Sequence, residues 1–189
     1  MVRPQALSWL VALALSLVGC RMPYIPNPYV HIPLLSTPPP SAAAHLRDAS
    51  GRAVGTAVLL QQGGEVRLLL DVSGLPVGDK AVHIHEVGQC DPPSFASARG
   101  HFNPTGAQHG TSNPRGPHAG DLPNITVDAS GRGHLEVSTK RVTLGKGPTS
   151  LFDADGSALV VHVKADDMLT DPAGDSGDRL ACGVIERGS

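Results

Sequence analysis

With 189 residues, 40% of them hydrophobic, the chain has enough material for one domain with a proper core. Its 15 Lys+Arg against 17 Asp+Glu leave a formal charge of −2, so there is no basic excess for gripping nucleic acid. Nine histidines and three cysteines stand out against this even background.

The first twenty residues, "MVRPQALSWLVALALSLVGC", hold Arg3, an apolar run from Ala6 to Val18, and then Cys20. The run is too short to span a bilayer comfortably and is expected to be a signal peptide. Small residues before a cysteine resemble the bacterial lipoprotein box, where the cysteine is lipidated and begins the mature protein. Residues 1–20 are therefore expected to be a lipoprotein signal ending at lipidated Cys20. An ordinary secretory signal or an uncleaved anchor is the alternative. Residues 21–44 are dense in proline, which excludes helix and inner strand and favours an extended, semi-rigid spacer. That spacer would hold a folded domain, expected over 45–189, off a membrane in the cell envelope, periplasmic or otherwise extracytoplasmic. With Cys20 lipidated, Cys90 and Cys182 remain, and an oxidising compartment lets them pair.

Within the domain, "AVGTAVLLQ" is followed by Gly63-Gly64 and "EVRLLLDVSGL", a hairpin signal. The run "AVHIHEV" follows a turn expected at Gly78-Asp79. Later come "NITVDASGRGHLEVST", a second hairpin, then "SALVVHVKA" and "LACGVIE". No segment sustains a 3.6-residue apolar period over three turns. Short strands around one core predict an antiparallel β-sandwich or flattened barrel. Gly88 to Leu122 and Asp166 to Asp178 fit no strand, and loops of such length in a compact domain are usually functional.

Residues i and i+2 of a strand share a face with Cα atoms roughly 6.5–7 Å apart. His83 and His85 are so placed, either as a surface pair or as two imidazoles leaning toward one metal ion. The first long loop adds His101, His109, His118 and Asp121. A core cannot hold three histidines and a carboxylate among Gly, Pro and Ser, so a metal is the economical way to order them. Three nitrogens and one oxygen make the closed tetrahedral set that zinc prefers. Asp121 on its own would read as a turn residue before Leu122-Pro123. His162 shares a strand face with Val160 and Lys164 and, alone, reads as a satisfied core histidine. His45 and His134 have no partner motif and are expected on the surface or in strand packing, while His31 falls in the linker.

The blocks "HIHEVGQC", "GHFNPTGAQHG", "GPHAGDLPN", "GSALVVHVKADD" and "SGDRLACGVI" resemble the signatures of copper,zinc superoxide dismutase, best the secreted bacterial branch. The resemblance runs from about Thr56 to Glu186. It implies an all-β, antiparallel Greek-key sandwich or flattened barrel with two long functional loops. It also implies one copper and one zinc ion per subunit. Copper would be held by His83, His85, His101 and His162, and zinc by His101, His109, His118 and Asp121, so that His101 is shared. Asp166 would hydrogen-bond a copper histidine and a zinc histidine from behind, and Arg179 would receive the anion beside copper. Cys90 and Cys182 match the family disulfide. The implied reaction turns two superoxide anions into dioxygen and hydrogen peroxide, with His101 delivering a proton.

Some features depart from the family or stay unassigned. The loop before Arg179 carries Asp171, Asp175 and Asp178 and no lysine, which puts the steering charges of animal members in doubt. Arg99 has no assigned role. The subunit interface differs between branches, so a homodimer is one option among several. The rival reading is a non-enzymatic copper or zinc carrier, or an envelope lipoprotein, of the same fold.

Overall fold

The structure is a computed structural model and describes residues 40–188. The expected signal, Cys20, His31 and nearly all of the linker lie outside them. Nine strands form one sheet: β1 (Ser41–Asp48), β2 (Ala53–Gln62), β3 (Glu65–Ser73), β4 (Gly78–Lys80), β5 (Val82–His85), β6 (Ile125–Val127), β7 (Arg132–Thr139), β8 (Ala158–His162) and β9 (Arg179–Arg187). The order across the sheet is β4-β6-β7-β3-β2-β1-β9-β8-β5, and every strand pairing is antiparallel. The two edge strands, β4 and β5, are separated in the chain by Ala81 alone. The sheet therefore curls round until its edges nearly meet, which makes a nearly closed barrel. Neighbours such as β3–β7 and β1–β9 are distant in sequence, as Greek-key crossovers require. No α-helix occurs among the described residues; a single 3₁₀ turn covers Ala96–Ala98.

The hairpins are where the turn residues place them. Gly63, at φ 58°, sits in the two-residue turn that sets Gln62 opposite Glu65. Two expectations need correcting. Strand β1 already begins at Ser41, within the stretch expected as linker, because Ala42, Ala44 and Leu46 alternate inward and bury against the core. Gly78-Asp79 is not a free turn but part of β4, paired with Thr126 and Val127.

Alternation also decides where the site forms. On β5, Val82 and Ile84 point into the barrel and join Leu159 and Val161 of β8 in the main core. His83 and His85 point the other way, outside the barrel, opposite Val160 and Ala158. They are nevertheless fully buried, because the loop from Glu86 to Asn124 folds over them. Phe95 and Ala98 of that loop pack with Ala158, Val160 and Cys182 in a second small core. The Cys90–Cys182 disulfide ties the loop to β9 across a sequence separation of 92 residues. A loop that long, once closed, removes on the order of 4–5 kcal/mol of chain entropy from the unfolded state.

Candidate metal centre

β5 and β8 supply three imidazoles and the covering loop supplies three more. His83, His85 and His162 come from the strands, and His101, His109 and His118 from the loop. All six are buried, together with Asp121 and Asp166. His162 ends β8 where the pairing with β9 shifts register, and Lys164 beyond it is exposed. The shared face expected for His162 therefore extends to Val160 but stops short of Lys164.

The ring nitrogens sort into two groups. Ligand atoms of His83, His85, His101 and His162 all lie within 4.8 Å of one another. Within this first cluster His85 Nε2 is 3.4 Å from His162 Nε2. His83 Nδ1 and His101 Nε2 are buried there with no hydrogen-bond partner. In the second cluster, Asp121 Oδ1 lies 3.0 Å from both His101 Nδ1 and His109 Nδ1 and 3.4 Å from His118 Nδ1. His83 also comes within 4.8 Å of this group. Its Nε2 is already bound to Asp166, however, and His118 Nδ1 stands 3.4 Å from His101 Nδ1. His118 is thus a further candidate donor for the second set, with a nitrogen free to face it.

The nitrogens that face outward are held by the chain. His83 Nε2 meets Asp166 Oδ2 at 2.8 Å and His109 Nε2 meets Asp166 Oδ1 at 3.0 Å. One carboxylate thus ties a residue of each cluster. Asp166 is itself braced by Asn124, whose side chain bonds both its N–H and its carbonyl. His85 Nδ1 donates to the Arg99 carbonyl at 2.8 Å and His162 Nδ1 to the Gly177 carbonyl at 3.1 Å. With these nitrogens protonated, the opposite nitrogen of each ring presents its lone pair inward.

Electrostatics separate the clusters. Burial, helped by the charges of His101 and His162, outweighs the Asp166 hydrogen bond and holds His83 down to about 3. Burial, with the neighbouring His101 and Arg179, keeps His85 well below its ordinary value and lowers His162 to about 4. The first cluster is thus an all-imidazole set in which His83, His85 and His162 are held neutral, suited to a borderline-soft ion. In the second, burial opposes the proton on His109, but Asp121 and Asp166 outweigh it and raise that residue to about 9. Burial pushes the Asp121 carboxyl up, and hydrogen bonds from His101, His109 and the Gly110 N–H more than reverse it. That pocket attracts positive charge, and a proton there occupies the place of a cation. Unsatisfied inward nitrogens in one cluster and a charged oxygen among nitrogens in the other fit two metal ions of different preference.

Both clusters border a cleft lined by His85, His101, His118, His162, Pro172 and Ala173, with Glu86 and Arg179 as its charged members. The Arg179 guanidinium is anchored on the carbonyls of Phe95 and Arg99. The Arg99 carbonyl thus serves both Arg179 and His85. Lys164 is paired with Asp175 at 3.4 Å. His45 and His134 are exposed, and His134 pairs with Asp71 across the sheet at 2.8 Å.

Sequence reading missed Asn124, the carbonyls of Phe95, Arg99 and Gly177, and Arg141, which donates to the Asp121 carbonyl at 2.5 Å. Carbonyl roles have no sequence signal, since every residue carries one. Asn124, between Pro123 and a strand, could have been suspected as a bracing residue.

The model of the family described as copper/zinc superoxide dismutase matches residues 53–185. The chain belongs to that family. It is an enzyme of the superoxide dismutase class, and its cofactors are copper and zinc. The copper-zinc superoxide dismutase 2 of Aquifex aeolicus is 49% identical over 146 residues, spanning 76% of this chain and 85% of that protein. The superoxide dismutase-like protein YojM of Bacillus subtilis is 38% identical over 178 residues, 91% of each chain. A crystal structure of a superoxide dismutase-like protein from Bacillus subtilis superposes with a TM-score of 0.72 at 38% identity, covering 75% of this chain and 96% of that one. The fold expectation of an all-β Greek-key barrel with two long loops holds.

Proposed function

We propose that this chain dismutates superoxide at a copper ion held by His83 Nδ1, His85 Nε2, His101 Nε2 and His162 Nε2. Zinc would be held by the Nδ1 atoms of His101, His109 and His118 and by Asp121 Oδ1. The observation that carries the reading is His101, whose Nδ1 faces Asp121 while its Nε2 is buried among the other imidazoles. Copper bound there would supply the one-electron redox chemistry that dismutation needs.

The chain's own residues bring the anion in and complete the product. Arg179 offers a guanidinium at the cleft wall, fixed in place by two carbonyls, for the anion to pair with. His101 lines the same cleft, and when its Nε2 is free of the metal it can carry a proton to the oxygen that leaves as peroxide. Two protons are consumed with two superoxides, and one dioxygen and one hydrogen peroxide leave. Burial holds His83, His85 and His162 below their ordinary values, so these three imidazoles do not compete for that proton. Every residue this reading uses comes from one chain, so the chemistry does not require a second copy.

The rival, a metal carrier, has one named example in the family: the copper chaperone for superoxide dismutase of Rattus norvegicus is 34% identical over 153 residues, 53% of that protein. A carrier has no use for an anion site, and the anchored Arg179 favours the enzyme. We place the protein in the cell envelope, tethered by lipid on Cys20 with residues 21–40 as spacer. The apolar run ending in "LVGC" supports this. Superoxide loss measured on copper- and zinc-loaded and on metal-stripped protein tests the activity. A loaded protein no faster than the stripped one would refute it. Membrane fractionation of Cys20→Ser tests the tether: release is expected, and retention would exclude it.

A further inference from the structure

The outward nitrogens can be accounted for ring by ring. His83 and His109 give Nε2 to Asp166, His85 gives Nδ1 to the Arg99 carbonyl, and His162 gives Nδ1 to the Gly177 carbonyl. His101 has both nitrogens turned into clusters. His118 is the exception. Its Nδ1 faces Asp121, and its Nε2 has no hydrogen bond among the described residues. The charged group in range is Asp171, with Oδ1 at 3.8 Å. The same Oδ1 accepts the backbone N–H of His109 at 2.6 Å.

We propose that Asp171 is the positioning residue of the second metal site, acting as the outer carboxylate of His118 while it clamps the His109 backbone. The inference rests on the zinc assignment above and extends it to a residue in the opposite loop. A metal-bound imidazole almost always gives its other N–H to a carboxylate, carbonyl or water, which fixes the tautomer and raises ligand basicity. Among the described residues no side chain or carbonyl is hydrogen-bonded to His118 Nε2. A shift of roughly 1 Å brings the contact to hydrogen-bond length. The half-exposed Asp171 carboxylate sits next to Pro172 and Ala173 of the cleft wall. The acidic loop before Arg179 thus has work besides substrate steering. Asp166 reaches from its start to His109 and Asp171 from its middle to His109 and His118.

The test uses full-length Asp171→Asn and Asp171→Ala, with Asp175→Asn as a control of equal charge change on the same loop. Asparagine keeps an oxygen for the His109 N–H and removes the charge facing His118, so it separates the clamp from the outer carboxylate. The zinc dissociation constant is measured by chelator competition, and the visible bands of Co(II) in place of zinc report ligand geometry. Zinc affinity roughly 10–100-fold weaker in both Asp171 variants, with shifted Co(II) bands, is expected. Asp175→Asn should match wild type. If Asp171→Asn keeps wild-type zinc affinity and Co(II) bands, the residue is a backbone clamp only and the proposal falls. If wild type itself gives no Co(II) bands, the zinc assignment fails first and takes the proposal with it.

Discussion

His101 Nδ1 stands 3.0 Å from the Asp121 carboxylate, and both side chains are buried. Its other nitrogen, Nε2, is buried without any hydrogen-bond partner. A ring with one nitrogen beside a carboxylate and the other among imidazoles links two sites of different chemical character. Replacing it by alanine removes a donor from both. His101→Ala should fold, since the main core does not include His101. It should bind copper and zinc each at least about tenfold more weakly. Metal content per chain and the absorption of bound copper check this. Wild-type occupancy with an unchanged spectrum would exclude the bridging role.

Much of this site is legible in the sequence because strand alternation is rigid. His83 and His85 must share a face once Val82 and Ile84 are read as core. The loop ligands His101, His109, His118 and Asp121 are legible through the motif blocks, and their convergence is what the structure adds. β1 was hidden because "SAAAHLRD" follows a proline run and carries little β-branched character. Tertiary pairing with β2 and β9 makes it a strand all the same. Backbone acceptors such as the Arg99 and Gly177 carbonyls were not legible, because their role depends on where the fold turns them. In the sequence Asp171 is only one acid of the loop before Arg179, and its contact with His109 needs two loops to meet.

The metal-free chain should have a stability maximum close to neutral pH. Burial holds His83 to about 3 and His162 to about 4, and lowers His85 as well, against an ordinary 6.5. The unfolded chain therefore takes up these protons first as pH falls below about 6.5, and stability drops in that direction. His109 has the opposite sign. Raised to about 9, it contributes stability that is fully present below 6.5 and lost as pH rises through about 9. Melting temperature of chelator-treated protein against pH checks both limbs. Stability that keeps rising from pH 6 to pH 4 would contradict the neutral, buried imidazoles.

Arg99→Gly should stabilise the protein. Arg99 has φ 57° and ψ −142°, a conformation open to glycine and costly for any residue with a Cβ. The strain is worth roughly 1–3 kcal/mol, and the entropy a glycine adds to the unfolded chain takes back roughly 0.5–1 kcal/mol. A gain of about 1 kcal/mol corresponds to roughly 2–4 °C in Tm for a domain of this size. The Arg99 contacts to His85 and Arg179 are made by its carbonyl, so the dismutation rate should not change. A lower Tm for Arg99→Gly would show that the Arg99 side chain stabilises the protein by more than its backbone strain costs.

Arg179 decides between an enzyme and a metal carrier. Both clusters have a full set of donors without it, so nothing in metal binding requires a guanidinium there. All 17 acidic residues but only 13 of the 15 basic ones lie beyond residue 44, since Arg3 and Arg21 precede it. The domain thus repels an anion at long range, and attraction has to be local. Lys164 is engaged with Asp175, and the charged side chains lining the cleft are Glu86 and Arg179. On the proposed reading, two divalent ions offset by Asp121 and a deprotonated bridging His101 would add only about +2. Arg179→Glu reverses a charge of comparable size at the mouth. The second-order rate with superoxide should fall at least about tenfold from a ceiling of roughly 10⁸–10⁹ M⁻¹s⁻¹. Glu86→Gln makes the opposite change and should raise the rate or leave it at the ceiling. Added salt screens attraction, so it should slow wild type and slow Arg179→Glu less, or speed it. Copper and zinc content should be unaffected in both variants. An Arg179→Glu protein with wild-type rate and wild-type salt response would leave the cleft without an anion site, and the carrier reading would then fit better.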